Sequence, residues 1–363
     1  MSTSSGAARV VIKIGTSSLV TDGALSIAKA DALAEVVVRL RGEGLRPVLV
    51  TSGAIALGRS VLPEAAQTLP SERQLAAAVG QGPLFESLRA RLAARDLTAA
   101  QFLFTPYDLF DPVHRGSLTR ALEQALDIGL VPVVNENDAV AVRNNDVLAA
   151  LVSAALRARL LLLLTDVPGV FDTDPRRSPD ARRIGVLPAM TTEVERLAAD
   201  PTAGPGSGGM PAKLCAAWIA TRAGVPAVIA AADEPDAALR AVRGEDVGTR
   251  IHAGPVEKEP DLRRLWWAFS EPSRGRLLCH ASAERTVSDG GPLLLRQVRR
   301  AGGEVRVGSV VDLVTERSGV IARGRVSGAV PATLLSSGAG APEQGDLETV
   351  LDQHSYISLM EVQ

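Results

Sequence analysis

Cysteine is nearly absent from this chain: Cys215 and Cys279 are the only two among 363 residues. They stand far apart and without metal-ligand spacing, which excludes a disulfide framework or a zinc cluster and reads as reduced thiols of a cytoplasmic protein. An excess of one charge is missing too, because 39 Lys and Arg face 41 Asp and Glu. No global field therefore singles out nucleic acid or an anionic membrane as the partner. Long apolar runs are lacking: the longest, near 160–164, is far too short to span a bilayer. The opening MSTSSGAAR has no apolar core, so it reads as a disordered start over 1–8 and not as a secretory signal.

What is present is a chain long enough for two or three domains, with 46% hydrophobic and 22% charged residues, in the range of ordinary globular proteins. Short Val/Ile/Leu runs recur as VVIKI (10–14), PVLVTSG (47–53), AAQFLFT (99–105), VPVVN (131–135), LLLLLTD (160–166) and VPAVIAA (225–231). Their apolarity is continuous where a half-buried strand would alternate, which predicts strands buried on both faces in a mostly parallel sheet. Helical spacing fills the intervals. Residues 26–41 carry it with Ser26 as cap and Gly42 and Gly44 as stop, and 72–95, 113–128, 147–158 and 210–223 follow the same pattern. The expected architecture over 9–253 is a three-layer α/β/α open sheet. A polar linker at 254–261 leads to a small β-rich module over 262–335, with WWAF, RLLCH, VRVGSVVDLVT and VIARGRV as strand-like pieces. A tail at 336–363 opens with the flexible composition SSGAGAPEQG and continues with a short helical pattern, DLETVLDQH.

Polar residues gather where the predicted strands end. Lys13 inside an apolar strand is costly to bury unless an anion meets it, and the Gly15-Thr16-Ser17-Ser18 that follows suits an oxyanion. The same lysine would also serve as a strand-end residue reaching water. The segment Gly206-Ser207-Gly208-Gly209-Met210-Pro211-Ala212-Lys213 opens a helix, and a lysine in a first turn, where the dipole disfavours cations, calls for an anionic ligand. No GxxxxGK[ST] occurs, so this is not a P-loop. Ser52 in Thr51-Ser52-Gly53-Ala54 reads first as a helix cap and, beside the other strand ends, as a substrate ligand. Asn135, Glu136, Asn137 and Asp138, then Asn144, Asn145 and Asp146, are more polar groups than a turn needs, and they offer the mixed donors and acceptors that hold a zwitterionic amino acid. Thr165 and Asp166 leave a strand into a Gly/Pro/Asp-rich loop suited to adenine and ribose. In open parallel sheets such strand ends share one ligand site.

In this order, KIGTSSL, VTSGAIALGR, QLAAAVGQ, VPVVNENDAV, LLLLTDVPGVFDTDPR, GSGGMPAKLCAA and VGTRI resemble the amino-acid kinase superfamily and, within it, the glutamate 5-kinase family. The likeness covers about 9–252, and the module after 262 resembles a divergent PUA domain. The resemblance implies ATP-dependent phosphorylation of the L-glutamate γ-carboxylate, with Mg2+, as the first step of proline biosynthesis. It implies Lys13, Lys213 and Asp146 as the catalytic set, and Ser52, Gly53, Asn135, Asp138, Asn144 and Asn145 around glutamate. Lys13, Gly15, Thr165, Asp166, Ser207, Gly208, Gly209, Met210 and Lys213 would meet ATP, and Asp146 would organise the lysines or the metal. It further implies a homo-oligomer, dimer or tetramer. Two departures stand out. The loop between NENDAV and the second polar cluster is several residues shorter, and Asn144 and Val147 stand where the family has Asp and Asn, which leaves one carboxylate fewer for the substrate ammonium. The module lacks its usual acidic-glycine turn, which argues against an RNA role. A kinase of the same fold acting on another small amino acid or acid is the alternative.

Overall fold

The computed structural model describes residues 7–140, 144–175, 178–197, 209–254, 260–331, 334 and 348–360. Its chain divides into two units, Met1–Glu259 and Pro260–Gln363.

In the first unit the apolar runs become strands in the expected places. In chain order they are β1 (Arg9–Ile14), a small hairpin of β2 (Val20–Thr21) and β3 (Ala24–Leu25), β4 (Arg46–Val50), β5 (Ala99–Phe104), β6 (Val131–Glu136), β7 (Leu160–Thr165), β8 (Val186–Leu187), β9 (Ala227–Ala231) and β10 (Thr249–Ile251). Eight of these form one sheet in the order β5-β6-β4-β1-β7-β9-β10-β8. Every adjacent pair is parallel except β9 with β10. From β1 the chain builds one side of the sheet through β4, β5 and β6, then crosses to the other side with β7. The direction therefore reverses at the β1/β7 pair, where open α/β sheets present a crevice.

The helices are α1 (Ile27–Gly42), α2 (Ala54–Arg59), α3 (Glu72–Ala93), α4 (Pro112–Asp127), α5 (Asn145–Ala155), α6 (Thr192–Leu197), α7 (Gly209–Arg222) and α8 (Ala237–Arg243). Ser26 caps α1 as expected, accepting from the Lys29 N–H. Strand alternation sorts the two faces of the sheet. Val10, Ile12 and Ile14 of β1, Val131 and Val133 of β6, and Leu160, Leu162 and Leu164 of β7 share one core with α1, α3 and α8. The residues between them, Lys13 among these, turn to the opposite face. There α5 and α7 pack against each other and are buried for most of their length.

Two glycines set the spacing of α2 and α3. A Cβ on Gly58 would lie 1.8 Å from the Ala76 carbonyl oxygen, and one on Gly80 would lie 1.9 Å from that of Ala54. The helices thus cross at backbone distance. Arg59 and Glu72 close the far end with a two-pronged ion pair whose second arm is 2.7 Å.

In the second unit, α9 (Leu262–Phe269) precedes β11 (Gly275–Cys279), α10 (Ser282–Ser288), β12 (Leu293–Leu294), β13 (Val298–Gly303), β14 (Val310–Thr315), β15 (Gly319–Arg325), β16 (Thr349–Leu351) and β17 (Tyr356–Ser358). The five-stranded sheet runs β13-β11-β14-β15-β17, and β12 pairs with β16. Two expectations are corrected here. WWAF lies in a helix and not in a strand: Asp261 caps α9 by accepting from the Arg264 N–H, and Leu262, Leu265, Trp266 and Phe269 fall on one buried face. The segment expected as a terminal helix forms strands instead. Thr349 and Leu351 pair with β12, Tyr356 pairs with β15, and Val350, Leu351 and Tyr356 are buried. The expected linker residues 255–259 and the SSGAGAPEQG stretch lie outside the described residues. Both cysteines are buried, and burial pushes the Cys279 thiol up to about 12.

The helix crossing gives a first prediction. Gly80→Ala inserts a methyl against backbone that cannot yield, so thermal unfolding should show a loss of about 1–3 kcal/mol or more. Gly82→Ala, in open space on the same helix, should be neutral or slightly stabilising.

Candidate functional site

Parallel register brings four strand ends to one edge. Lys13 lies opposite Val50 of β4 and Leu163 of β7, Val50 lies opposite Val134 of β6, and Asn135 follows directly. Across the edge the sequence of groups is therefore Asn135, Thr51-Ser52, Lys13 and Thr165, as the strand-end reading anticipates.

At the centre Lys13 and Lys213 share the carboxylate of Asp146. Lys13 Nζ lies 2.8 Å from Asp146 Oδ1, and Lys213 Nζ lies 3.6 Å from Oδ2. All three are buried, the lysines 6% exposed and the aspartate 1%. Three elements deliver them. Lys13 comes from the α5/α7 face of β1, Asp146 from the first turn of α5, and Lys213 from the first turns of α7, where its Nζ also donates to the Gly209 carbonyl at 3.4 Å. Burial pushes the Asp146 carboxyl up, but the charges of Lys13 and Lys213 outweigh it and hold the group below its ordinary value of 3.8. Two ammoniums and one carboxylate leave the trio with an excess positive charge, and a buried cation without a full counter-charge favours an anionic ligand. Each oxygen of Asp146 faces one of the two ammonium groups.

On the other side of Lys13 stand the groups assigned to the acceptor. Ser52 is buried and does not cap α2, which corrects its first reading. The cap is Gly53 at φ +116°, where a Cβ would come within 2.9 Å of the Val20 side chain, and no side chain bonds the helix start. Asn135 accepts from the Glu136 N–H at 3.0 Å and donates to Gln81 Oε1 at 2.7 Å. Asn145 Oδ1 takes the same Glu136 N–H at 3.0 Å. Asp138 is buried in the turn that follows β6. Asn144 caps α5, its Oδ1 accepting from the Asp146 N–H at 2.8 Å, so that oxygen is committed to the helix. Gln81 was not singled out by sequence reasoning, although it closes the QLAAAVGQ motif.

On the side expected to meet the nucleotide, Thr165 ends β7 on the same face as Lys13 and donates to Asp166 Oδ1 at 3.0 Å. Gly15 bonds back to the Leu164 carbonyl, and Gly209 and Met210 begin α7. Ser207 and Gly208 lie outside the described residues. A second residue missed by sequence reasoning is Thr249. Fully buried on β10, it accepts from the Val170 N–H at 2.8 Å and donates to the Ile184 carbonyl at 2.6 Å. Its hydroxyl thereby pins the loop that leaves Asp166. The close fit is enforced by Gly169, whose Cβ would lie 2.6 Å from Thr249 Oγ1.

Asp146→Asn tests the trio without any ligand. Removing the charge leaves two buried ammoniums unpaired, a change that costs about 3–5 kcal/mol. Because the folded Asp146 value is depressed, its contribution is present above the ordinary aspartate value of 3.8 and is lost as pH falls below it. Urea unfolding should therefore show a wide gap between wild type and Asp146→Asn at pH 7, holding down to about pH 4 and narrowing only below.

The amino acid kinase family model matches residues 8–231. A glutamate 5-kinase of Picosynechococcus sp. is 38% identical over 88% of this chain and 87% of its own length. One from Shewanella amazonensis is 39% identical over 88% and 86%, and one from Moorella thermoacetica is 36% identical over 97% and 94%. Among solved structures, carbamate kinase from Giardia lamblia superposes at a TM-score of 0.52 with 17% identity, covering 69% of this chain and all of that one. Aspartate kinase from Synechocystis does so at 0.51 with 21% identity, over 78% of this chain and 48% of that one. At these identities the likeness is one of fold. The chain belongs to the amino acid kinase family and, within it, to the glutamate 5-kinases.

Proposed function

We propose that this protein transfers the γ-phosphoryl group of ATP to the γ-carboxylate of L-glutamate, giving γ-glutamyl 5-phosphate and ADP. The observation that carries this reading is the buried Lys13–Asp146–Lys213 trio at the sheet's reversal point, with Asn135, Ser52, Asp138 and Asn145 on one side and Thr165 and Asp166 on the other. A γ-carboxylate is already ionised at neutral pH, so its oxygen attacks the γ-phosphorus with no proton to remove. The bond to the β-phosphate oxygen breaks, and charge accumulates on the transferred group and on departing ADP. What such a reaction needs is in-line placement and positive charge that is in position beforehand. Asp146 supplies the second by holding both ammoniums in place while compensating only part of their charge.

Ser52, Asp138, Asn135 and Asn145 fit the amino-acid end of glutamate through their mix of hydroxyl, carboxylate and amide. With Asn144 committed to the helix cap, Asp138 is the carboxylate of this set for the substrate ammonium. Thr165, Asp166, Gly209, Met210 and Lys213 fit the nucleotide. Among the described residues no three His, Cys, Asp or Glu side chains gather into a metal set. Magnesium enters mainly as part of the substrate, on the phosphates of ATP.

Three outcomes are expected. ATP consumption should require L-glutamate and magnesium together, with γ-glutamyl hydroxamate trapped on addition of hydroxylamine; faster turnover of another acid in a panel would reassign the substrate. Lys213→Ala should lower kcat by about 10²–10³-fold in that assay. Thr249→Val, nearly isosteric but unable to bond the loop, should raise KM for ATP by about five- to tenfold and leave KM for glutamate within about twofold.

A further inference from the structure

We infer that Gln81 is a positioning residue of the acceptor site, acting on glutamate through Asn135. The inference rests on the substrate assignment above.

The alternation of β6 sets the geometry. Val131 and Val133 face the core shared with α1 and α3, so Asn135, two residues on, turns to that same face and away from the lysine trio. Asn135 is 1% exposed. Its carboxamide bonds at both ends: Oδ1 accepts from the Glu136 N–H at 3.0 Å, and Nδ2 donates to Gln81 Oε1 at 2.7 Å. These two bonds fix which way the amide points and leave one Nδ2 hydrogen for another acceptor. The same Glu136 N–H is 3.0 Å from Asn145 Oδ1. One backbone hydrogen is thus shared between two acceptor-site amides, and a rotation of Asn135 would redistribute the bond to Asn145.

Gln81 is itself held in place. It follows Gly80, whose α-carbon faces the Ala54 carbonyl so closely that a methyl there would lie 1.9 Å from it. Ala54 in turn follows Gly53 in the Ser52-Gly53 turn. Helix α3 cannot slide along its axis without moving that turn, and the Arg59–Glu72 pair holds the other end of the crossing. Gln81 therefore carries the position of the β4 strand end across to the β6 strand end, one side-chain bond joining the two walls between which an amino acid would lie. A glutamine at this half-buried helix position has no need of a partner for its own sake, since water would serve it. Asn135, being buried, does need one.

Gln81→Met keeps the length and shape of the side chain and removes the acceptor. Steady-state kinetics with glutamate and ATP varied separately should show KM for glutamate raised about tenfold, the worth of one such bond, with kcat and KM for ATP within about twofold of wild type and the melting temperature nearly unchanged. A double-mutant cycle with Asn135→Ala should be strongly non-additive in KM for glutamate, because each variant breaks the same link. If Gln81→Met fails to fold, Gln81→Ala reads the same quantities. Unchanged KM for glutamate, equal rises in both KM values, or an additive cycle would overturn the role. Wild type that turns over no glutamate would instead overturn the substrate reading, and the Gln81 comparison is then made with whichever acid of the panel it does phosphorylate.

Discussion

Two ammonium groups share one carboxylate in the interior of the first unit, and its architecture serves to keep them there. An unpaired lysine in an apolar sheet would be expelled or neutralised. Asp146 prevents this for Lys13 and Lys213 at once, and it does so from the end of a helix whose next eight residues are all buried. Because α5 packs against both β1 and α7, the carboxylate cannot follow one lysine without leaving the other. The result is a fixed, partly compensated positive centre at the one place in the sheet where the strand order reverses. Charge held ready in this way does not have to be reorganised when phosphoryl transfer begins.

The two sides of that centre are secured differently. On the side proposed for the acceptor, the Ser52-Gly53 turn and Asn135 are joined through α3 by backbone contact at Gly58 and Gly80 and by the Gln81 amide. On the side proposed for the nucleotide, a loop of irregular backbone is pinned to β10 by one buried hydroxyl, Thr249. The first arrangement is helical and interlocked. The second depends on two hydrogen bonds and on Gly169 allowing them to form. Rigid placement suits an acceptor whose single reactive carboxylate oxygen must line up with phosphorus, whereas ATP offers many contacts over a longer span.

Much of this was legible in the chain itself. Continuous apolar runs marked the buried parallel strands, because a strand covered on both faces has no polar side to interrupt it. Lysines and Asn/Asp clusters at the ends of those runs marked the edge where the site lies, and Lys13, Asp146 and Lys213 meet there. What was not legible depended on partners distant in sequence. Ser52 is a good capping residue by type, but the backbone at Gly53 adopts a conformation that only glycine holds easily, and the cap moved to it. Gln81 and Thr249 are ordinary helix and strand residues until β6 and the 166–184 loop are brought to them. WWAF has the composition of a strand, yet the Asp261 cap and the spacing of Leu262, Leu265 and Trp266 favour a helix. The sequence around Val350 suggested a helix, but the open edges of β12 and β15 recruit it and Tyr356 as strands.

The strand order of the second unit has a consequence for how the molecule is made. Strand β15 has β14 on one side and β17 on the other, and β12 has β16 as its partner, so both sheets wait for residues 349–358 to emerge from the ribosome. Among the described residues the last strand of the first unit's sheet is β10, which ends at Ile251. Synthesis therefore releases a complete kinase sheet while the second unit still has uncovered β-edges, surfaces open to wrong pairing with other chains. During that interval the uncovered strand edges are those of the second unit.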